Sequence, residues 1–499
     1  MNRREFAKTA AGAATAFTIL PSHVIAGRGH IPPSEKITVA NIGCRSQEIV
    51  EMPALLKHPR IQVVAVCDVN RYSTDYLDWS DDRLMGRLRS SLKDPSWGAG
   101  IKGIPGGREF GKQYVDAYYG KFGSSGSSGG CAMYEDYREL LADQSDIDAV
   151  KIMTPDHHHA GIAIAALRSG KHVITHKPIA NRISEARAVM EHTALADRRT
   201  HLLAWKNNAE YRKMRDWIKQ GVIGEIVEIH NWTNRPVWPQ WHLRPTERMP
   251  VPEGFNWELW LGPVPDMPYH PHYTHNVFRG WYDFGGGAIA DMGHYSLFPL
   301  FEVFGIDRPP TAVRAHATTN RRIDGQVCVN ANNDAAFPYS SEIKFTFPAQ
   351  RELAAFDLYW YDGGMKPFAP DEVQAQGREM AGEGLMIVGA EGTLVSGFLG
   401  QGLEVFPSSK RRELARTERS EKPEKQEAED FWVDAILSGV DSPGNFLNAR
   451  CVTETLNLGA VALRAGKPLN YDSESMRITN NPSANRYLTR DYRNGWEIA

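Results

Sequence analysis

Cysteine is scarce in this chain, net charge is almost absent, and no long apolar run crosses it; each shortage excludes something. Five cysteines among 499 residues (Cys44, Cys67, Cys131, Cys328 and Cys451) are odd in number and irregularly spaced. That pattern excludes a small disulfide-stapled scaffold and a paired-cysteine zinc framework. A chain of this length can bury a sufficient core without either. Lys and Arg total 57 against 60 for Asp and Glu, a net charge of −3. No excess of cations exists to neutralise a phosphate backbone, so no nucleic-acid partner is expected. The densest charged stretch, near residues 410–430, interleaves both signs and reads as a solvated loop or helix face. A membrane-spanning helix needs about 20 consecutive apolar residues. None is found, so no stable membrane anchor is expected.

What is present describes a globular protein of two or three domains, with 42% hydrophobic and 23% charged residues. The N-terminus stands apart. Asn2-Arg3-Arg4-Glu5-Phe6-Ala7-Lys8 precedes a small-residue, mildly apolar stretch through Leu20. A paired arginine ahead of such a stretch reads as a twin-arginine export signal, which predicts a periplasmic protein. Residues 1–33 are assigned to signal and leader, with the mature start between Ala26 and Pro33.

Beyond the leader, the run Lys36-Ile37-Thr38-Val39-Ala40-Asn41-Ile42 reads as a buried parallel strand entering a turn at Gly43. A helix from Glu48 to about Lys57 and a second buried strand, Ile61–Cys67 closed by Asp68, complete the start of a dinucleotide-binding βαβ unit. Residues 71–133 form a long excursion, polar and rich in glycine, containing a Gly/Ser tether at 123–130. Regular helix and strand signals then resume, giving a Rossmann domain over residues 35–180. Alternation at Gly224–Trp232, Ser341–Phe347 and Ala354–Trp360 predicts an antiparallel sheet with one covered face. Residues 235–283, dense in Trp, Pro, Tyr and His, read as a long structured loop. The predicted fold class is α/β: a Rossmann domain with a parallel sheet, then a C-terminal α/β domain, residues 181–499, with a large, mostly antiparallel open sheet.

Three clusters carry chemistry. The first is Gly43-Cys44-Arg45-Ser46-Gln47-Glu48, where only the first glycine of a dinucleotide fingerprint is kept. Arg45 and Ser46 are expected against phosphates, Arg45 as a charged bidentate donor. Asp68 ends the second strand, where a carboxylate accepts from ribose hydroxyls and repels a 2′-phosphate; NAD is therefore expected over NADP. The second cluster follows two later strands: Thr154-Pro155-Asp156-His157-His158-His159, and Thr175-His176-Lys177-Pro178. Thr154, Pro155, His159 and Lys177 are candidate cofactor contacts at strand carboxyl ends. No metal is assigned to the three histidines, because adjacent residues on an extended turn point different ways. The third cluster, Gly285-Gly286-Gly287 through Tyr295, starts a helix that puts Asp291 and Tyr295 on one face with His294 nearby. An Asp, a His and a Tyr together can orient a hydroxyl and move its proton.

Taken together, these clusters resemble the glucose–fructose oxidoreductase / inositol dehydrogenase / MocA family, and the likeness extends to Asn256-Trp257-Glu258-Leu259-Trp260-Leu261-Gly262-Pro263 and Tyr492-Arg493-Asn494-Gly495-Trp496. The signal-bearing, exported branch is the nearest. The resemblance implies a tightly held NAD or NADP, a sugar or cyclitol substrate, and a homo-oligomer packed through the C-terminal sheets. It matches Lys177 to the lysine of the family's Glu-Lys-Pro motif and Asp291 to its Asp-x-Gly-x-His aspartate. His176 stands in place of the usual Glu; Tyr295 holds the usual His position, with His294 one place earlier. The expected catalytic group is Lys177, Asp291, His294 and Tyr295. The chemistry that follows is an NAD(P)-dependent sugar or polyol oxidoreductase. A redox-neutral, NAD-retaining glycosidase or lyase and a non-catalytic exported sugar-binding protein stand as alternatives.

Overall fold

The structure is a computed structural model, and it describes residues 31–122, 130–205, 209–235, 243–331, 333–414 and 426–498. The export motif around Arg3 and Arg4 and most of the Gly/Ser tether lie outside the described residues.

The N-terminal sheet is built from β-branched runs that have no polar face to offer water. Strand β1 (Ile37–Ile42) leads into helix α1 (Ser46–Lys57), and β2 (Ile61–Cys67) follows. In both strands nearly every residue is buried, as a parallel strand covered on both faces requires. The excursion after β2 holds more order than its composition predicts. Helices α2 (Arg83–Leu92) and α3 (Arg108–Phe122) form within it, and β3 (Ala132–Tyr134) adds an edge strand. Leu84, Leu88 and Leu92 recur at helical spacing and, with Phe110 and Tyr114, are buried in the core beside α1.

Strand β4 (Ala149–Ile152), helix α4 (Asp156–Arg168), β5 (His172–Thr175) and β6 (Thr200–Leu202) complete a six-stranded sheet in the order β3-β2-β1-β4-β5-β6. Every pair is parallel. This is the Rossmann order, and its switch point lies between β1 and β4. The sheet runs past the expected boundary at residue 180. A parallel neighbour needs a crossover helix first, so Ile183–Leu195 and β6 belong to this layer.

The second sheet begins with β7 (Ile226–Trp232). Helix α5 (Gly287–Phe304) precedes β8 (Ala312–Ala317), a separate hairpin of β9 (Asn320–Asp324) and β10 (Val327–Ala331), then β11 (Ser341–Phe347), β12 (Phe356–Tyr361), β13 (Gly384–Gly389), β14 (Thr393–Ser396) and β15 (Glu404–Phe406). Helices α6 (Ala428–Ser438) and α7 (Arg450–Ala465) follow, then β16 (Leu469–Asp472) and β17 (Arg477–Ile478). The nine strands run β15-β14-β13-β7-β12-β11-β8-β16-β17. Only the β7–β12 pair is parallel. Ile343, Phe345 and Phe347 alternate inward on β11, as do Phe356, Leu358 and Trp360 on β12. They share one core with Ile289, Leu297 and Phe298 of α5 and with Leu456 of α7. That core continues into the Rossmann layer through Ile152, Ala160 and Leu202. Helix α6 returns to the N-terminal half, where Trp432 and Val433 join the cluster beneath α1. The two layers are therefore tied together from both ends of the second.

Candidate active site

The turn after β1 shows why one glycine was kept. Gly43 has φ of +99°, and a Cβ there would lie 2.7 Å from the carbonyl carbon and oxygen of Met153 after β4. Only glycine adopts that conformation without strain and lets the two strand ends approach so closely. Asp68 locks the same turn: the Cys44 amide donates to its Oδ2 at 2.6 Å and the Asn70 amide to its Oδ1 at 2.8 Å. Burial raises the Asp68 carboxyl above its ordinary value, and those two backbone bonds oppose the rise. Asp68 thus lines the groove at the strand ends while anchoring its turn.

Around this switch point lies a narrow slot of about 50 Å³ lined by Gly43, Arg45, Asp68, Thr154 and Pro155. Phe255, Leu259, His275 and Trp496 roof it. Arg45 is buried in it. Its Nη2 donates to Met153 O at 3.1 Å and its guanidinium lies 4.8 Å from the Phe278 ring centre. Burial, then the nearby Arg279, pulls Arg45 down to about 10. Arg45 Nε, Thr154 Oγ1 and Asp156 Oδ1 are buried with no hydrogen-bond partner among the described residues. Donors and acceptors left unpaired beside a helix N-terminus suit a dinucleotide's phosphates and ribose. The residues fit such a group. Ser46 takes a different part: its Oγ donates to Leu77 O at 2.9 Å, pinning the excursion to α1.

The three adjacent histidines all address backbone carbonyls. His157 places Nε2 2.9 Å from Trp260 O, and His158 places Nε2 2.7 Å from the same oxygen. His159, expected at the cofactor, spans Pro178 O at 2.6 Å and Thr154 O at 2.8 Å instead. It staples the β4 turn to the β5 turn, because α4 carries its ring between the two strand ends. Burial lowers all three below the ordinary imidazole range.

Beside the slot opens a cleft of about 870 Å³ between the two layers. Lys177, after β5, forms an ion pair with Asp291 on α5. Arg279 reaches the same carboxylate, Nε to Oδ1 at 3.1 Å. The glycine run makes this possible: a Cβ on Gly285 would run into Arg279 Cα and lie 2.7 Å from its carbonyl oxygen. Burial alone would raise the Asp291 carboxyl; Lys177 and Arg279 override it and hold it at about 2. Burial, helped by Arg279, lowers the Lys177 ammonium against the pull of Asp291.

Tyr295 lies one turn further along α5, its ring centre 5.0 Å from Lys177 Nζ. Its hydroxyl is 3.0 Å from His176 Nε2. Burial, then Glu51 and Asp291, pushes the Tyr295 phenol well above its usual range. Burial, then Lys177 and Arg279, pushes His176 well below its own. Phenol and imidazole are therefore both neutral, and the phenol donates in the tautomer whose Nε2 carries no proton.

His294 does not join them. Its Nδ1 sits 2.9 Å from Ala290 O and its Nε2 3.5 Å from Thr453 Oγ1 on α7. One residue along a helix is a rotation of about 100°, which turns His294 into the core while Tyr295 faces the cleft. Burial holds His294 at about 4. Sequence reading missed Arg279, Arg235, Glu51, Trp79 and Arg83, all of which line this cleft. Arg279 sits six residues before the glycine run and carried no motif; Trp79 and Arg83 come from the excursion, which lacked any functional signal.

A doubly wound N-terminal layer, a charged cleft at its strand ends and a covering mixed sheet define the class: a two-layer α/β protein with a Rossmann-type N-terminal sheet. A family model described as "Oxidoreductase family, NAD-binding Rossmann fold" matches residues 122–203, and one described as "Oxidoreductase family, C-terminal alpha/beta domain" matches residues 208–329. Over these two stretches the chain is similar to the Gfo/Idh/MocA oxidoreductases. Levoglucosan dehydrogenase of Pseudarthrobacter phenanthrenivorans is 34% identical over 112 residues, 21% of this chain and 28% of that protein. The 1,5-anhydro-D-fructose reductase of Ensifer adhaerens is 38% identical over 93 residues, 18% of this chain and 27% of that protein. The matched part thus spans less than a third of these curated relatives. In fold, the chain is similar to the WlbA dehydrogenase from Bordetella pertussis, solved with NADH and UDP-GlcNAcA. That match has 15% identity and a TM-score of 0.50, over 88% of this chain and 99% of that one.

Proposed function

We propose that the protein is an NAD-dependent oxidoreductase that interconverts a secondary hydroxyl and a carbonyl on a sugar, glycoside or cyclitol. The observation that carries this reading is the meeting of Lys177, Asp291 and Tyr295 in one cleft, against the switch point of a Rossmann sheet. The names of the matched relatives, a levoglucosan dehydrogenase and an anhydrofructose reductase, point to the same substrate class. Bound nicotinamide would supply the hydride acceptor. Gly43, Arg45, Asp68, Thr154 and Pro155 would hold the dinucleotide. The chain's own side chains do the rest. Lys177 donates to the reacting hydroxyl oxygen and stabilises negative charge there. Asp291 keeps that ammonium charged and in place. Tyr295 receives the hydroxyl proton as it hands its own to His176.

The roofed slot supports a cofactor that is retained rather than exchanged. The Asp68 carboxylate supports NAD over NADP by repelling a 2′-phosphate. The paired Arg3 and Arg4 support export by the twin-arginine route to the periplasm, and no helix among the described residues is long and apolar enough to cross a membrane. The outer face of the second sheet carries its own cluster of Trp232, Tyr361, Met380 and Met386 with half-buried Tyr359, Val388 and Val395 beside it. That face suits packing against a second copy.

Mass analysis of protein purified without added nucleotide tests the cofactor, and NAD reduction with levoglucosan, myo-inositol and glucose tests the reaction. A bound NAD with turnover of at least one polyol is expected. A nucleotide-free protein that binds neither NAD nor NADP would refute the reading.

A further inference from the structure

Two clefts meet at this site. The second, about 690 Å³, lies toward the C-terminal end of α1 and is lined by Lys57, His58, Arg87, Glu427 and Asp430. Glu51, His176 and Tyr295 line both clefts. They also form a chain: Tyr295 Oη is 3.0 Å from His176 Nε2, and the same nitrogen is 3.7 Å from Glu51 Oε1. Glu51 is held on both sides, since Gln47 Nε2 donates to its Oε1 at 2.5 Å and Lys151 Nζ lies 3.7 Å from its Oε2.

We propose that His176 and Glu51 carry the substrate proton from Tyr295 to solvent in the second cleft. The inference rests on the oxidoreductase reading above. Oxidation of a secondary carbinol removes a hydride from carbon and a proton from oxygen. Bound nicotinamide would take up the hydride; the proton is left to the side chains that line the cleft. Tyr295 cannot keep the negative charge, because burial disfavours its phenolate. It passes its own proton to His176 Nε2 while taking the substrate's. The imidazolium is equally disfavoured by burial and by Lys177, Arg279, His159 and Lys151 around it, so it passes the proton on. Glu51 receives it, directly after a small approach or through one water, and releases it to the second cleft. Reduction runs the same chain in reverse. Every member ends in its starting state, and one proton has crossed from one cleft to the other. The histidine that replaces the family's usual Glu is then the middle of this path. His176 and Glu51 are positioning and relay residues; neither touches the reacting atoms.

Two variants test this, His176→Gln and Glu51→Gln. Each keeps a hydrogen-bonding side chain of similar reach and removes the capacity to carry a proton. The substrate is whichever of levoglucosan, myo-inositol and glucose the unaltered holoenzyme oxidises fastest. Expected for both is a turnover lower by about tenfold to a hundredfold, KM within about twofold, and a larger solvent deuterium isotope effect on kcat. In a His176→Ala variant, added imidazole should restore turnover. Turnover that stays within threefold in both variants, or a loss that appears in KM alone, overturns the relay while leaving the oxidoreductase reading intact. An arm without substrate uses ¹⁵N-histidine NMR. The His176 resonances should show an unprotonated Nε2 that accepts a hydrogen bond, and Tyr295→Phe should abolish that bond's shift. A protonated Nε2 in the unaltered protein overturns the proposal even if no polyol is turned over.

Discussion

Replacing Lys177 by methionine isolates what the ammonium contributes. The side chain is 3% exposed, and methionine has nearly its length, so the apolar stem is replaced with little change in packing. Asp291 would keep Arg279 Nε at 3.1 Å. The local sum of Lys177, Arg279 and Asp291 falls from +1 to zero, and the reacting oxygen loses its donor. Losing an acid–base or polarising group costs about a hundredfold or more in turnover, a barrier increase of about 2.7 kcal/mol. Breaking a buried pair outright costs about 3–5 kcal/mol of stability; the retained Arg279 contact keeps this loss to about 1–2 kcal/mol on the same scale. The assay is kcat at saturating polyol, per mole of cofactor bound, with a denaturation curve alongside. A variant that binds cofactor and keeps more than about a third of native kcat would refute the reasoning. A variant that has lost only cofactor affinity would move Lys177 from chemistry to cofactor binding.

Three further outcomes follow from the same geometry. Tyr295→Phe should lower kcat at least tenfold with little effect on stability, whereas His294→Ala should leave kcat within about threefold and cost about 2 kcal/mol through its core position; kinetics and thermal melts on both variants decide it. Glu48 is buried among Lys151, Glu51 and Glu429, and burial raises it to about 8. Its folded value lies above its unfolded one, so the stability it lends is present below about pH 4.5 and is lost as pH rises through about 8. Glu48→Gln should therefore raise the melting temperature at pH 8 more than at pH 5; an equal shift at both would count against it. Asp68→Ala should weaken NAD binding, since the Cys44 and Asn70 amides lose their acceptor, and narrow the preference over NADP; competitive titration of stripped protein measures both, and an unaltered preference would remove Asp68 as the discriminating group.

Much of the fold was legible along the chain because it rests on local periodicity. Continuous apolar runs marked β1 and β2, and alternation marked β11 and β12 as strands with one covered face. Turn chemistry at strand ends singled out Gly43, Asp68, Thr154 and Lys177, since a Rossmann sheet opens its ligand crevice there whatever the loops contain. Helical spacing put Asp291 and Tyr295 on one face, which is a property of a five-residue stretch alone. Other features had no local signal. Whether His294 or Tyr295 met the cleft depended on which side of α5 was covered by α7, and only packing decides that. His159 pointed to two carbonyls because β4 and β5 lie side by side. The order within residues 71–133 was hidden by polar and glycine-rich composition, although Leu84, Leu88 and Leu92 keep helical spacing. Arg279 reached Asp291 because Gly285 lets the backbone fold back closely on Arg279, six residues earlier. The link from Tyr295 through His176 to Glu51 joins α5, the β5 turn and α1, elements more than a hundred residues apart at the extremes. The sequence by itself determined which residue types could do chemistry and at which strand ends they would stand. Tertiary structure alone decided which of them face one another, because that depends on how the two layers pack against each other and on no spacing within either.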